Sequence, residues 1–504
     1  MSSVPPPDNQ ALLQLVVSLA SSGDVDAAAS KAAGIRDRTT ASGAWLAISR
    51  ANANMQRWDA AERALENASK LGTEFAVLQV ERALLAERRG RHAEALDILE
   101  SVARGGMPSP QWIVHLARAL QIAGREDEAE ARLEAGLDRW PVDAALHSQL
   151  AQLRWRRGTG ESLTARVERA IAQHPREMPL RLVAADLLRH AGYPGRALEL
   201  LEQGLAAAPG SATFMTSMGV VLDDLGRGDE ALRMLRAAVA QAPQSMSARR
   251  NLVPKLLQAG EPREALRMLE GPCASTPDDQ QLIAWRATSL RMLGDPGYAR
   301  LHDYPRLVRT YELVPHSRYT DIAQFNAALA RELVPLHRSP ERPLTQSLRG
   351  GSQTDSNLPA DPVANPAIAA FFEMLDAPLR DYISRLDPRS DHPTDRRRRE
   401  GYRFAGSWSV HLRPGGFHTN HVHPLGWISS AYYVEVPANT GGEKRAGWLK
   451  LGEPGMRDPP CAADHFVEPR PGLLVLFPSY MWHGTVPFTE GGRRLTAVFD
   501  AVPV

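Results

Sequence analysis

Cysteine is close to absent: the 504 residues contain two, Cys273 and Cys461, on opposite sides of a change in sequence character near residue 300. A disulfide framework is therefore not what stabilises this chain, and a reducing cytoplasm is the expected location. An excess of one charge is also missing. Lys and Arg number 59 against 58 Asp and Glu, for a net charge of +1, so no global field draws the protein to nucleic acid or to an anionic membrane. The one basic run, Arg396 to Arg399, is flanked by Asp395 and Glu400 and reads as a solvated loop. Long hydrophobic runs are absent too. Ala11 to Ala20 is too short to span a bilayer, and the opening MSSVPPPDNQ lacks a basic leader segment, so no targeting or anchoring element is expected. An apolar fraction of 43% with 23% charged residues excludes disorder and fibres, and the length calls for two to four domains.

What the sequence does have is a period. Glycine recurs at Gly90, Gly124, Gly158, Gly192, Gly226, Gly260 and Gly294, every interval being 34 residues. Five residues after each stands a small or apolar residue (Ala95, Ala129, Leu163, Ala197, Ala231, Ala265, Ala299), and seven before each another (Ala83, Ala117, Ala151, Ala185, Gly219, Val253, Ala287). Small side chains at these two offsets let a pair of antiparallel helices cross closely, with the glycine turning the chain between them. Proline closes most units at a constant offset, at Pro141, Pro175, Pro209, Pro243 and Pro277, where its fixed φ and missing N–H stop the second helix.

This pattern resembles the tetratricopeptide repeat over roughly residues 10–300 and implies an all-α, right-handed solenoid of helical hairpins. Weaker copies are expected earlier, from Trp58, Ala60 and Ala61 one period upstream of His92 to Ala95, with Ser22 to Ala28 as a degenerate cap. The resemblance implies a concave groove, lined by the first helices, that binds a peptide or protein; the alternative role is to hold a dimer together or to position the rest of the chain. Arg249, Arg250 and Asn251 share one first helix, a group that suits an acidic ligand or a plain surface face.

Past Gly294 the period ends, and a second domain is expected over 301–504, with a helical lead-in over 301–400 and a β-core over 401–504. Helices are expected near Asp321 to Leu336 and Pro366 to Leu386, separated by the glycine-containing segment Leu348 to Asn357. Strands are expected at Tyr402 to Leu412, Trp427 to Val436, Leu473 to Phe477 and Arg494 to Val502, divided by turns at Pro414-Gly415-Gly416, Gly441-Gly442, Pro471-Gly472 and Gly491-Gly492. Short strands of this kind suggest a jelly-roll sandwich or barrel.

Within that region stands Phe417-His418-Thr419-Asn420-His421-Val422-His423-Pro424, followed some sixty residues later by His483. Side chains two apart on a strand share a face, so His421 and His423 can address one ion while His483 closes the set from a distant strand. Three ligands on one side leave the opposite positions open, which a metal that must bind both a cosubstrate and O2 requires. Arg494 and Thr496 likewise share a face, and a guanidinium beside a hydroxyl makes a bidentate receptor for a carboxylate.

These motifs, with Ser430-Ala431-Tyr432-Tyr433-Val434 and Leu476-Phe477-Pro478-Ser479 between them, resemble the 2-oxoglutarate/Fe(II) oxygenases that are often fused to tetratricopeptide repeats. The resemblance covers roughly 300–504. It implies a double-stranded β-helix, with Fe(II) held by His421, His483 and the residue at position 423, and 2-oxoglutarate bound by Arg494, Thr496 and Tyr433. It also implies a dioxygenase that consumes O2 and hydroxylates a peptide or protein side chain delivered by the repeats, or a small molecule. The wider superfamily has a carboxylate where this chain has His423. Three arrangements remain open: His423 ligates as a third imidazole, it stands behind the ligands, or His418 replaces one of the pair. A carboxylate such as Asp464 is a further way to complete the site. Three histidines also suit catalytic zinc; Arg494 with Thr496 favours iron and an oxoacid. Trp408, Trp427, Tyr432 and Trp482 are candidates for a substrate pocket or for the core. The rival to an enzyme is an interaction scaffold whose oxygenase domain is degenerate or only senses its ligands.

Overall fold

In a computed structural model the chain is described over residues 9–21, 24–55, 57–103, 108–158, 163–337, 347–354, 357–359, 361–438, 440, 444–489 and 491–504. Ser22 and the Gly441-Gly442 turn lie outside the described residues. The chain divides into two compact units, 1–150 and 151–504.

The described part of the first unit is built of helical hairpins. Asn9–Ser21 pairs with Val25–Ala32 and Arg38–Asn54 with Trp58–Lys70, ahead of the clear repeats Phe75–Arg88 with His92–Ala103 and Pro110–Ile122 with Glu126–Arg139. In the second unit the same hairpins continue as Met178–His190 with Pro194–Ala207, Ala212–Asp224 with Gly228–Gln241, and Met246–Gln258 with Pro262–Ser275. The reason for the period is visible in the backbone. All seven turn glycines have φ between +65° and +91°, the left-handed conformation that costs glycine alone nothing. The next N–H then closes on the carbonyl five residues upstream, as from Arg125 to Leu120 at 2.8 Å and from Tyr193 to Leu188 at 2.8 Å, satisfying carbonyls that the helix end would leave bare. Ala83, Ala117, Ala151, Ala185 and Ala287 are each no more than 2% exposed, as helix crossings require.

The seventh unit departs from the pattern. After Gln280–Met292 and Gly294 the second helix is only Gly297–Leu301, so Ala299, which should be buried in a crossing, is exposed. The basic group on Met246–Gln258 also has internal partners: Arg249 Nε donates to Pro243 O at 2.7 Å, Asn251 to Ser247 O at 2.9 Å, and Arg250 pairs with Asp279.

The remainder of the second unit is a β-sandwich. Its strands are β1 (Arg309–Glu312), β2 (Leu348–Gln353), β3 (Tyr402–His418), β4 (Ile428–Glu435), β5 (Leu449–Leu451), β6 (His465–Val467), β7 (Leu473–Pro478), β8 (His483–Thr485) and β9 (Arg494–Pro503). One sheet has the order β1-β7-β4-β9-β3-β2 and the other β6-β5-β8, with every pairing antiparallel. Helices Ile322–Leu333, Pro366–Met374 and Asp376–Ser384 cover one face of the large sheet, where Tyr432, Leu495, Ala497 and Phe499 meet Phe325 and Phe371. Alternation sends Tyr433, Arg494, Thr496 and Val498 to the opposite face.

The last repeats and the sandwich share one core. Trp285 and Trp482 lie with ring centroids 4.6 Å apart, the Trp482 indole N–H donates to Thr288 Oγ1 at 3.1 Å, and Arg291 donates to the carbonyls of Gly452 and Ala462 at 3.1 and 2.9 Å. The arginine run is not a free loop, as its flanking acids suggested. Arg396 donates to Pro277 O, Arg397 to Gly426 O at 2.7 Å, and Arg398 to Leu386 O, because backbone carbonyls that would otherwise be half-buried need donors.

His302 sits at the foot of the shortened repeat, 5% exposed, stacked on Tyr298 at 4.5 Å, and its Nδ1 has no partner among the described residues. Burial holds its pKa down to about 3, against 6.5 in the open chain. Between those values the unfolded state takes up a proton that the folded state refuses. The contribution of His302 is therefore complete above pH 6.5 and is lost as pH falls toward 3, at about 1.4 kcal/mol per pH unit. His302→Phe is expected to flatten the acid limb of stability measured by thermal melts from about pH 4 to 6; an unchanged limb would show that another group sets it.

Candidate metal centre

The segment following β3 and the start of β8 are tied to each other by backbone. His421 N–H donates to His483 O at 2.9 Å and His483 N–H to His421 O at 3.0 Å, while His423 N–H donates to Ser479 O at 3.1 Å. This bridge brings residues sixty apart into one cluster. His421, His423 and His483 each offer a ligand atom, all within 4.8 Å of one another; their ring centroids are 5.2, 4.3 and 5.0 Å apart. Each ring is oriented through Nδ1: His421 toward Thr419 O at 2.8 Å, His483 toward Met481 O at 2.9 Å, and His423 toward the two carboxylate oxygens of Asp500 at 2.6 and 2.7 Å. With Nδ1 engaged, Nε2 is left as the free donor on each, the arrangement that fixes tautomer and direction in metal-binding histidines. Burial, with the neighbouring imidazoles adding to it, lowers the pKa of His421 to about 4 and that of His483 well below the usual value. Neutral rings are what a metal needs.

His418 lines the same pocket but is not one of the three whose ligand atoms lie within 4.8 Å of one another. Its ring is 5.5 Å from that of His421, and its Nδ1 shares a hydrogen with Ser347 Oγ at 3.0 Å. Asp464 is committed elsewhere, accepting from Tyr298 at 2.6 Å and from Tyr304 and pairing with Arg291. The aromatic candidates divide: Trp408 lines the pocket, Trp427 and Tyr432 are core, and Trp482 faces the repeat helix.

The histidines form one wall of a pocket of about 520 Å³, counting its open mouth, that also reaches Arg494, Thr496 and Thr485. Arg494 is 4% exposed; its Nη1 donates to Thr485 Oγ1 at 2.8 Å, its Nε has no partner, and no carboxylate pairs with it among the described residues. Tyr433, fully buried, holds its ring 5.0 Å from the guanidinium, and its hydroxyl is likewise unpartnered.

Residues 406–500 match the family model described as "Putative 2OG-Fe(II) oxygenase", and residues 46–110 and 224–287 match tetratricopeptide-repeat models. The chain joins tetratricopeptide repeats to a domain of this oxygenase type. No curated protein matches it. Among solved structures, a thermophilic tetratricopeptide-repeat protein of Thermus thermophilus aligns at 21% identity over 36% of this chain and 99% of its own, with a TM-score of 0.27. A tetratricopeptide-repeat protein of Parabacteroides merdae aligns at 14% identity over 46% of this chain and 91% of its own, with a TM-score of 0.34.

The pocket fits the two groups that the matched family model implies, Fe(II) and 2-oxoglutarate. Three imidazoles on one side suit a divalent metal with open positions. A buried cation without a counter-charge is costly unless an anion joins it, and the orphaned Arg494 Nε and Tyr433 hydroxyl are donors suited to a carboxylate. Asp500 was not singled out by the histidine motif. Its signal was strand parity: it stands six residues past Arg494 on β9, hence on the same face as Arg494 and Thr496.

Proposed function

We propose that this protein is a cytoplasmic non-haem Fe(II), 2-oxoglutarate-dependent dioxygenase that hydroxylates a peptide or protein side chain presented by its repeats. His421, His423 and His483 hold the metal, and Arg494 and Tyr433 receive the distal carboxylate of 2-oxoglutarate, with Thr496 alongside. The observation that carries this reading is the coincidence in one buried pocket of three Nδ1-oriented imidazoles and a guanidinium that lacks a counter-charge among the described residues. When bound, Fe(II) with 2-oxoglutarate and O2 supplies the oxidation, the cosubstrate leaving as succinate and CO2.

The protein's own share is placement. Arg494 and Tyr433 fix the far end of the cosubstrate by charge-assisted hydrogen bonds. Val410, Leu412 and Leu449 line the pocket with apolar surface that keeps water from the reacting end. Two free cysteines accord with a reducing compartment.

Purified protein supplied with Fe(II), 2-oxoglutarate and O2 is expected to release succinate at a rate that His483→Ala lowers at least about 100-fold, since outer-shell losses alone cost 10 to 100-fold. His423 in place of a carboxylate supports a second reading, a scaffold with a degenerate or ligand-sensing domain. Succinate no higher than in His483→Ala, with cell lysate added as a source of substrate, would favour that scaffold. Stoichiometric zinc that iron cannot replace would sink the iron assignment.

A further inference from the structure

We propose that Asp500 supplies, from one position further out, the negative charge that the three-histidine set lacks, acting on the metal through His423 as a positioning residue. The proposal rests on the metal-centre reading above. The three imidazoles are not equivalent: His421 and His483 hand Nδ1–H to neutral carbonyls, whereas His423, at the position where a carboxylate ligand would be usual, hands it to both oxygens of a carboxylate. Among the described residues that carboxylate's one ion-pair partner is His423, and the Ser429 hydroxyl donates to it at 2.7 Å, with Ser479 Oγ 2.9 Å from Ser429 Oγ. Its side chain is only 13% exposed, so the charge is weakly screened and acts at nearly full strength across the ring.

The charge count follows. Fe(II) with three neutral imidazoles carries two positive charges; Asp500 reduces the assembly to one, the same as two imidazoles and a direct carboxylate. A carboxylate behind an imidazole also makes the far nitrogen a stronger donor. The site thus keeps the electrostatics of a carboxylate-containing set while presenting three nitrogens to the metal.

Three proteins separate charge from orientation: wild type, Asp500→Asn, whose side-chain oxygen still accepts from Nδ1–H, and Asp500→Ala, which loses both. Anaerobic Fe(II) titration and the visible charge-transfer absorption of the Fe(II)–2-oxoglutarate complex are the readouts, with thermal melts of the metal-free proteins as a check on folding. Asp500→Asn is expected to lose about 10 to 100-fold in Fe(II) affinity, close to the loss in Asp500→Ala, and to shift the absorption band. Wild-type affinity and an unshifted band in Asp500→Asn, with loss only in Asp500→Ala, would overturn the proposal, because orientation alone would then suffice. Wild type that binds no Fe(II) in a manner sensitive to His483→Ala would instead remove the metal centre itself.

Discussion

Arg494→Met is expected to weaken 2-oxoglutarate binding by roughly 100 to 10,000-fold while leaving the ligand-free protein as stable as wild type or more so. The first half follows from the hydrogen bonds at stake: bonds to a charged group are worth about 1.5–3 kcal/mol each, and a bidentate grip on a carboxylate involves two. The second half follows from what Arg494 lacks. Its guanidinium is 4% exposed, bonded to Thr485 and stacked near Tyr433, with no carboxylate beside it among the described residues. An uncompensated buried charge destabilises the fold, so a long apolar side chain of similar reach relieves a cost. An ordinary structural arginine would behave oppositely, losing stability on removal. Calorimetric titration of the Fe(II)- or Mn(II)-loaded protein with 2-oxoglutarate, set beside thermal melts of the ligand-free forms, distinguishes the two. A stability loss without an affinity loss would mean that Arg494 holds the sandwich together and binds nothing.

What could be read from the sequence was whatever repeats or alternates. The 34-residue glycine period gave the hairpins because a left-handed turn leaves few residue choices, and a period of seven copies is hard to mimic. The long strands β3, β4, β7 and β9 were legible because they carry enough residues to alternate. β5, β6 and β8, at three residues each, are too short to show a pattern, and they form only because the large sheet and the His421–His483 bridge hold them. β2 was hidden by its own composition. It reads as a linker, LRGGSQ, because its glycines let it pass close to β3; a Cβ on Gly351 would lie 2.2 Å from His411 O. At the site, the three histidines and Arg494 were legible from motif and parity and line one pocket, whereas Tyr433, which the resemblance alone pointed to, stands behind Arg494 with its ring 5.0 Å from the guanidinium. Asp500 escaped because a lone acid near a C-terminal strand end carries no motif. Its pairing with His423 depends on the register of β4 and β9, Ser429 opposite Asp500, which no local pattern encodes.

A fragment beginning at Leu301, where the repeat period ends, is expected to be insoluble or to lack a cooperative unfolding transition, whereas a fragment from Ala144 onward is expected to fold. The reason is that the apolar core of the sandwich does not stop at the end of the repeats. Val422, Leu449, Phe477, Met481 and Trp482 belong to one buried cluster with Leu252, Leu256, Ile283 and Trp285. At about 1.5–3 kcal/mol for each large side chain returned to water, exposing even three or four of them consumes most of the 5–15 kcal/mol that stabilises an ordinary domain. The polar losses fall beside the three histidines: Pro424, next to His423, loses the Gln280 N–H at 3.2 Å, and Trp482, next to His483, loses Thr288. Trp285→Ala in the full chain is the graded form of the same test and should cost about 3–5 kcal/mol, read as an early transition in denaturant. A soluble fragment from Leu301 with a single sharp melt would show that the shared core is dispensable. The expected outcome makes the last repeats part of the oxygenase fold, so that the surface which would present a substrate is built from the same packing that holds His421, His423 and His483 in place.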